Sequence, residues 1–292
     1  MSPVVRGSRC EVPIATGVFM SVFLLTVQLP AASQAGTPPT VEFVMAPAPG
    51  ETVHYRVPFE WEGFDVDGTV PLYRVAIDPP AVGDPFWFET SSTAQTFFFA
   101  TRSLDLPIPA AGPITFSQPH TLVLKAVDDE GLESDPLSRA FFTSTIAPEV
   151  QIVAPTPNPT TDVPIGTDVT IEWQGTDSDG VWTNRPVSYK FRLLGPNNDF
   201  PGGLAAAWAD PNAFRERYAP LFTDWSTTSS DTTSAHFFNL IPGQHYLFCV
   251  VGFDEAGAYS ARFGRAINMI QLLPGTTPSQ AVSWGRLKRR FR

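Results

Sequence analysis

The sequence has little cysteine and little charge. Two cysteines in 292 residues exclude a disulfide-stapled scaffold. Charged side chains make up 16%, against about 25% in ordinary soluble domains. The charge that exists is acidic, net -10 with a pI near 4.8, which argues against nucleic acid as a partner. Motifs of catalysis are missing too: the chain holds no H-E-x-x-H, no G-x-S-x-G and no P-loop. The four histidines, His54, His120, His236 and His245, follow no metal-ligand spacing. What is abundant is proline (30) and phenylalanine (23), with seven tryptophans. That many prolines would break the helices of a bundle, and that many aromatics argue against disorder. The length allows one to three domains.

Residues 1–35 read as a secretory signal peptide. Arg6 and Arg9 supply the basic start, an apolar stretch runs from Val12 to Val27, and Pro30 breaks it. Ser33 and Ala35 are the small residues of a cleavage site. The apolar run is shorter than the roughly 20 residues of a membrane span. Cleavage after Ala35 removes Cys10, so the exported chain keeps Cys249 alone and has no internal disulfide. Cys249 reads as a small apolar strand residue.

The remainder is one unit written twice. Phe59–Gly68, FEWEGFDVDG, and Ile171–Gly180, IEWQGTDSDG, share Glu, Trp, Gly, Asp, Asp and Gly in register. A later pair, AVDDEG at 126–131 and GFDEAG at 252–257, is spaced 14 residues further apart than the first. Four of the extra residues follow Gly180, because Tyr73 then matches Tyr189. The other ten fall near 195–235, where Ala205–Tyr218 reads as briefly helical. Within each unit apolar residues alternate with polar ones, as at Phe59/Trp61, Tyr73/Val75/Ile77 and Leu122/Leu124/Ala126. Ile171/Trp173, Phe191/Leu193 and Phe248/Val250 are their counterparts. Period two marks half-buried strands, and Pro- and Gly-containing turns separate them. The expected fold is all-β, two tandem Greek-key sandwiches over 36–147 and 148–273, the second with a partly helical insertion, between a signal peptide and a basic tail at 274–292.

In the second unit Asn239–Tyr246, NLIPGQHY, precedes Phe248 and Val250 and the FDEAG turn. This stretch resembles the corner before strand F of a fibronectin type III domain, and Trp173 resembles that fold's core tryptophan. The first unit keeps Trp61 but has His120 where the second has Tyr246, so it is only immunoglobulin-like. The whole resembles tandem domains of exported bacterial proteins, a likeness that speaks to architecture more than to activity.

Three groups of residues are candidate sites. Asp65, Asp67 and Asp128 in the first unit, and Asp177, Asp179 and Asp254 in the second, lie in loops that a sandwich brings to one end. Converging carboxylates of this kind suit calcium, the one cofactor the pattern suggests. Aspartate and glycine are also ordinary turn formers, and that reading stays open beside it. Trp87, in the sequence FWF, and Trp208, in the insertion, are candidate aromatic contacts for a sugar ring or a protein. The tail SWGRLKRRFR has five basic residues and no acid. As a helix it would set Trp284 and Leu287 near one face beside Lys288, Arg289 and Arg290, able to meet an acidic surface or an anionic membrane.

The function expected is an exported, secreted or envelope-associated, non-catalytic module that presents loops to a protein or glycan at the cell surface. Carbohydrate binding through exposed aromatics is the alternative. An enzyme would need a site scattered along the chain and is the least supported reading.

Overall fold

The computed structural model describes residues 36–81, 84–101 and 112–275. The expected signal peptide and the tail residues Trp284, Leu287, Lys288, Arg289 and Arg290 lie outside them. Among the described residues no helix is long and apolar enough to cross a membrane.

The first half contributes β1 (Thr40–Met45), β2 (Thr52–His54), β3 (Arg56–Phe64), β4 (Leu72–Ile77), β5 (Phe88–Thr90), β6 (Ala94–Phe98), β7 (Thr115–Val127) and β8 (Leu137–Ile146). They form a three-stranded sheet, β1-β3-β6, and a five-stranded sheet, β2-β8-β7-β4-β5. The second half contributes β9 (Glu149–Ala154), β10 (Val163–Ile165), β11 (Val169–Thr176) and β12 (Ser188–Leu194). Two helices follow, α1 (Gly203–Ala209) and α2 (Pro211–Tyr218). It closes with β13 (Ser226–Ser229), β14 (Ser234–Phe237), β15 (Tyr246–Phe253) and β16 (Met269–Pro274). Its sheets are β14-β11-β9 and β10-β16-β15-β12-β13, the order of the first half repeated strand for strand. Even the short parallel pairings recur, β2 on β8 and β10 on β16.

The repeated motif explains the repeated core. In β3 and β11 every second residue is buried, so Phe59 and Trp61, and Ile171 and Trp173, face inward. Each tryptophan meets a tyrosine of the opposite sheet edge-on: Trp61 and Tyr73 at 6.0 Å and 64°, Trp173 and Tyr189 at 6.0 Å and 66°. Two residues after each tryptophan the chain needs glycine. A Cβ at Gly63 would sit 3.1 Å from the Tyr73 hydroxyl, and one at Gly175 would sit 2.6 Å from the Tyr189 hydroxyl. The W-x-G spacing thus admits the tyrosine between the sheets.

The corner before β15 also forms. The Tyr246 hydroxyl accepts a hydrogen bond from Ile241 N–H at 3.0 Å, pinning the loop to the start of the strand. In the first sandwich His120 takes this place by different chemistry. It is buried, its Nδ1 lies 2.6 Å from Asp78 Oδ2, and its Nε2 lies 2.9 Å from the Ala100 carbonyl. Both ring nitrogens face oxygen atoms that can accept. Partial burial pushes the Asp78 carboxyl upward, but the His120 hydrogen bond, Thr121 N–H and the charge on His120 outweigh it and hold Asp78 below its usual range. A carboxyl depressed in the folded state stabilises above its unfolded pKa of ~3.9, and that contribution is lost as pH falls through the folded value. Urea midpoints of the full chain should therefore fall on acidification below about pH 4. Asp78→Asn should flatten part of that fall, and an unchanged acid limb in the variant would refute the assignment.

One strand departs from the expected alternation. Phe248 and Val250 face the sandwich core, yet Leu247, Cys249 and Val251 on the other face of β15 are buried as well. The insertion between β12 and β13 covers them. Phe200, Leu204, Phe214, Tyr218, Phe222 and Trp225 pack there in one apolar cluster. Helices of seven and eight residues are too short to persist alone, so packing holds them. Local chemistry helps α2: Pro211 opens it, and Asp210 Oδ1 accepts from Asn212 and Ala213 N–H at 3.0 Å each. The cluster also takes in Ile114 and Phe116 of the first half and Ala147 between the halves. Cys249 is an inert member of it, its thiol pushed up by burial.

Candidate functional site

The acidic loops form the same way in both halves. After β7, Asp128 Oδ1 accepts from Glu130 N–H (2.9 Å) and Leu132 N–H (2.8 Å). After β15, Asp254 Oδ1 accepts from Ala258 N–H at 2.7 Å. Gly131 and Gly257 close the two turns at φ +87° and +78°, the left-handed region that glycine enters freely. One oxygen of each aspartate is therefore a turn former. What the remaining carboxylates do differs between the two sandwiches.

In the first sandwich they lie at its outer pole. Asp67 Oδ2 accepts from Thr37 N–H at 3.1 Å, and Asp129 Oδ1 accepts from Thr69 N–H at 2.7 Å. Asp65 approaches Asp67 N–H at 3.4 Å. Partial desolvation, ahead of its acidic neighbours, raises the Asp65 carboxyl. Asp67 and Asp129 are exposed, and among the described residues no carboxylate oxygen of this group is buried without a partner.

In the second sandwich the same loops face the first sandwich. Thr145, at the end of β8, points its hydroxyl at two carboxylates, Asp254 Oδ2 at 2.7 Å and Asp179 Oδ2 at 3.1 Å. Ile146 N–H adds a bond to Asp179 Oδ2 at 2.9 Å. The Tyr55 hydroxyl donates to Glu255 Oε2 at 3.0 Å, and Thr101 N–H donates to the Ala256 carbonyl at 2.9 Å. His54 Nε2 lies 3.2 Å from the Asp179 carbonyl oxygen. Phe98 stacks on Trp182 with ring centres 4.9 Å apart, and Phe116 meets Tyr259 at 5.6 Å. The short connection Ala147–Pro148 therefore leaves the sandwiches in direct contact, consistent with both belonging to one compact unit.

The electrostatics of this junction are unbalanced. Asp177, Asp179, Asp254 and Glu255 bring four carboxyl groups together. Among the described residues their only basic neighbour within ion-pair distance is His54, 3.7 Å from Asp179 Oδ2. Asp177 is 1% exposed and both its carboxylate oxygens lack a hydrogen-bond partner, as does Asp179 Oδ1. Burial, the charge of Asp254 and a close approach to Asp179 push the Asp177 carboxyl up to about 7. Burial also pushes Asp254 up to about 7, against the opposing bonds from Thr145 and Ala258. Burial, then the bond to Glu255, raises the Tyr55 phenol.

The structure brings Asp177, Asp179 and Asp254 together and sets Asp65, Asp67 and Asp128 together at the opposite pole of the first sandwich. Trp87 is half-buried with Lys125 Nζ 5.3 Å above its ring, and Trp208 is half-buried under Arg265 at 5.1 Å. The exposed aromatics beside Trp87 are Phe86, 90% exposed, and Phe88. With Ile77 they border a shallow apolar hollow of about 300 Å³. Sequence reasoning missed Tyr55, Thr145 and Ile146. None sits in a motif, and their partners are 33 to 200 residues away.

No family model matches the chain, and no curated protein matches it. Among solved structures it is similar to fibronectin(III)-like modules of Clostridium thermocellum CbhA, with 11% identity over 82% of this chain and 97% of that one, TM-score 0.31. It is also similar to chicken CNTN1 FN1–FN3 domains, 15% identical over 82% and 69% of the two chains, TM-score 0.26. A third is a two-domain fibronectin type III segment of chicken tenascin, 14% identical over 80% and 95%, TM-score 0.24. The two halves share one strand order and a buried core tryptophan, and the second adds the Tyr246 corner of a fibronectin type III-like fold. The fold by itself specifies no ligand.

Proposed function

We propose that this protein is an exported, non-catalytic binding module whose two sandwiches act as one stiff body, holding loops at fixed separation for a protein or glycan partner at the cell surface. The observation that carries this reading is the junction. Three hydroxyl- or amide-to-carboxylate contacts from Thr145 and Ile146, the Tyr55–Glu255 bond and the Phe98–Trp182 stack all cross it. A flexible tether between sandwiches would need none of them. Rigid scaffolds that position loops are the usual physical basis of recognition by β-sandwiches.

Small-angle scattering of the full chain tests it. The expected result is one narrow distribution of maximum dimensions. Thr145→Val should broaden it and lower stability by about 1.5–3 kcal/mol, the range for a buried hydrogen bond to a charged group. A wild-type distribution as broad as that of a freely jointed pair would refute the stiff-body reading.

Carbohydrate binding is the second reading, favoured by the exposed Phe86 and Phe88 beside Trp87. A glycan array should then lose signal in Phe86→Ala and Trp87→Ala. Trp208, already covered by Arg265, would contribute less.

A further inference from the structure

Among the described residues the junction carries four carboxyl groups and a single basic neighbour, His54. The Thr145 hydroxyl has one proton and two carboxylate oxygens within 3.1 Å, so it can donate to only one of them. Asp177 is more than nine-tenths buried, and neither of its oxygens has a donor. Its carboxyl feels the charges of Asp254, Asp179 and Glu255. Buried carboxylates are ordinarily paired with a cation, and among the described residues neither lysine nor arginine reaches this group. A cation from solution, or protons, would supply that partner.

We propose that Asp177, Asp179, Asp254 and Glu255 form a divalent-cation site, filled by calcium, at the junction of the two sandwiches. The donor set is all oxygen, which suits a hard cation and offers nothing to one that prefers sulfur or imidazole. Calcium tolerates irregular geometry with six to eight oxygens, so carboxylates from two loops with waters are sufficient. The side chains are not closed on a single point as they stand: among the described residues no three acidic or histidine groups already form a metal-holding set. Binding would draw Asp177 and Asp179 inward by side-chain rotation, using the oxygens that now have no partner. Asp254 Oδ1 would stay in its turn, leaving Oδ2 for the ion or Thr145. The first sandwich has the same loop sequence but no buried, unpartnered carboxylate, and it is therefore the internal control.

The inference deepens the stiff-body reading, because an ion held by loops that also bond Tyr55, Thr145 and Ile146 would tighten the junction. The two are tested separately: calorimetry reads ion binding whether or not the junction is stiff, and scattering reads stiffness in the presence of chelator. The experiment is calcium titration of the chelator-stripped full chain by calorimetry, repeated with magnesium, together with thermal melts with and without calcium. The expected result is saturable calcium binding tighter than magnesium, with a rise in melting temperature. Asp177→Asn should weaken it by at least about tenfold, and Asp67→Asn in the first sandwich should leave it unchanged. Asp179→Asn should repeat the loss and serves where Asp177→Asn does not fold. Absence of binding at millimolar calcium would overturn the proposal and leave protons as the neutralising species. Undiminished affinity in both junction variants, or loss in Asp67→Asn alone, would also overturn it by placing the ion elsewhere.

Discussion

Trp173→Ala should destabilise the second sandwich by about 3–5 kcal/mol, the range for truncating a buried aromatic. Trp173 is 2% exposed, and its ring lies 5.4 Å from Phe191, 5.8 Å from Phe248 and 6.0 Å from Tyr189. It therefore joins the two sheets at their centre, with β11 on one side and β12 and β15 on the other. Removing the indole leaves a cavity that β-strands, fixed by their ladders, collapse into poorly. The indole N–H has no hydrogen-bond partner, and neither does that of Trp61. Trp173→Phe should accordingly cost far less, because it trades some contact area for relief of an unsatisfied buried donor. Urea unfolding of the full chain followed by circular dichroism separates the cases. Equal losses for the alanine and phenylalanine variants would refute this, by showing that a phenyl ring restores none of the packing at this position.

Much of this core was legible. Trp61 and Trp173 with their glycines two residues on, and the tyrosines at 73 and 189, mark the same cross-sheet contact twice, so a duplication in sequence became a duplication in strand order. Period two located β3, β4 and β11 because each has one face in the core and one in water. β15 escaped that logic. Its run YLFCVVGF is apolar on both faces, and one strand cannot say what covers its second face. The site shows the same division. The D-x-D-G loops and the later D-x-x-G turns pointed to Asp177, Asp179 and Asp254, because adjacent loops of a sandwich share an end. Which end meets the other sandwich depends on how two bodies dock, and docking is written in isolated residues such as Tyr55 and Thr145 that obey no local period. The two poles therefore looked alike in sequence, although at one the buried Asp128 is bonded by its own turn and at the other Asp177 is buried without a donor.

Phe214→Ala should release the insertion. Phe214 is fully buried on α2 and its ring contacts Phe200, Tyr218, Trp225 and Phe263 at 4.9–6.2 Å. The two helices have no independent stability at their length, so this side chain anchors them to the outer face of β15. The expected loss is about 3–5 kcal/mol for the cluster. The β15 ladder to β12 and β16 does not depend on the helices, so the sandwich should survive with an uncovered strand. Cys249 reports the difference. In a Cys10→Ser background the wild-type thiol, fully buried under the insertion, should react with a thiol reagent only through global unfolding. In Phe214→Ala it should react well before that, and at urea concentrations below the unfolding midpoint. A variant that loses stability while keeping Cys249 protected until global unfolding would show that the insertion and the sandwich unfold as one unit. Because Ile114 and Phe116 share the cluster, the released insertion should also loosen the contact between the sandwiches. Scattering of the same variant would register that as a broader distribution of dimensions.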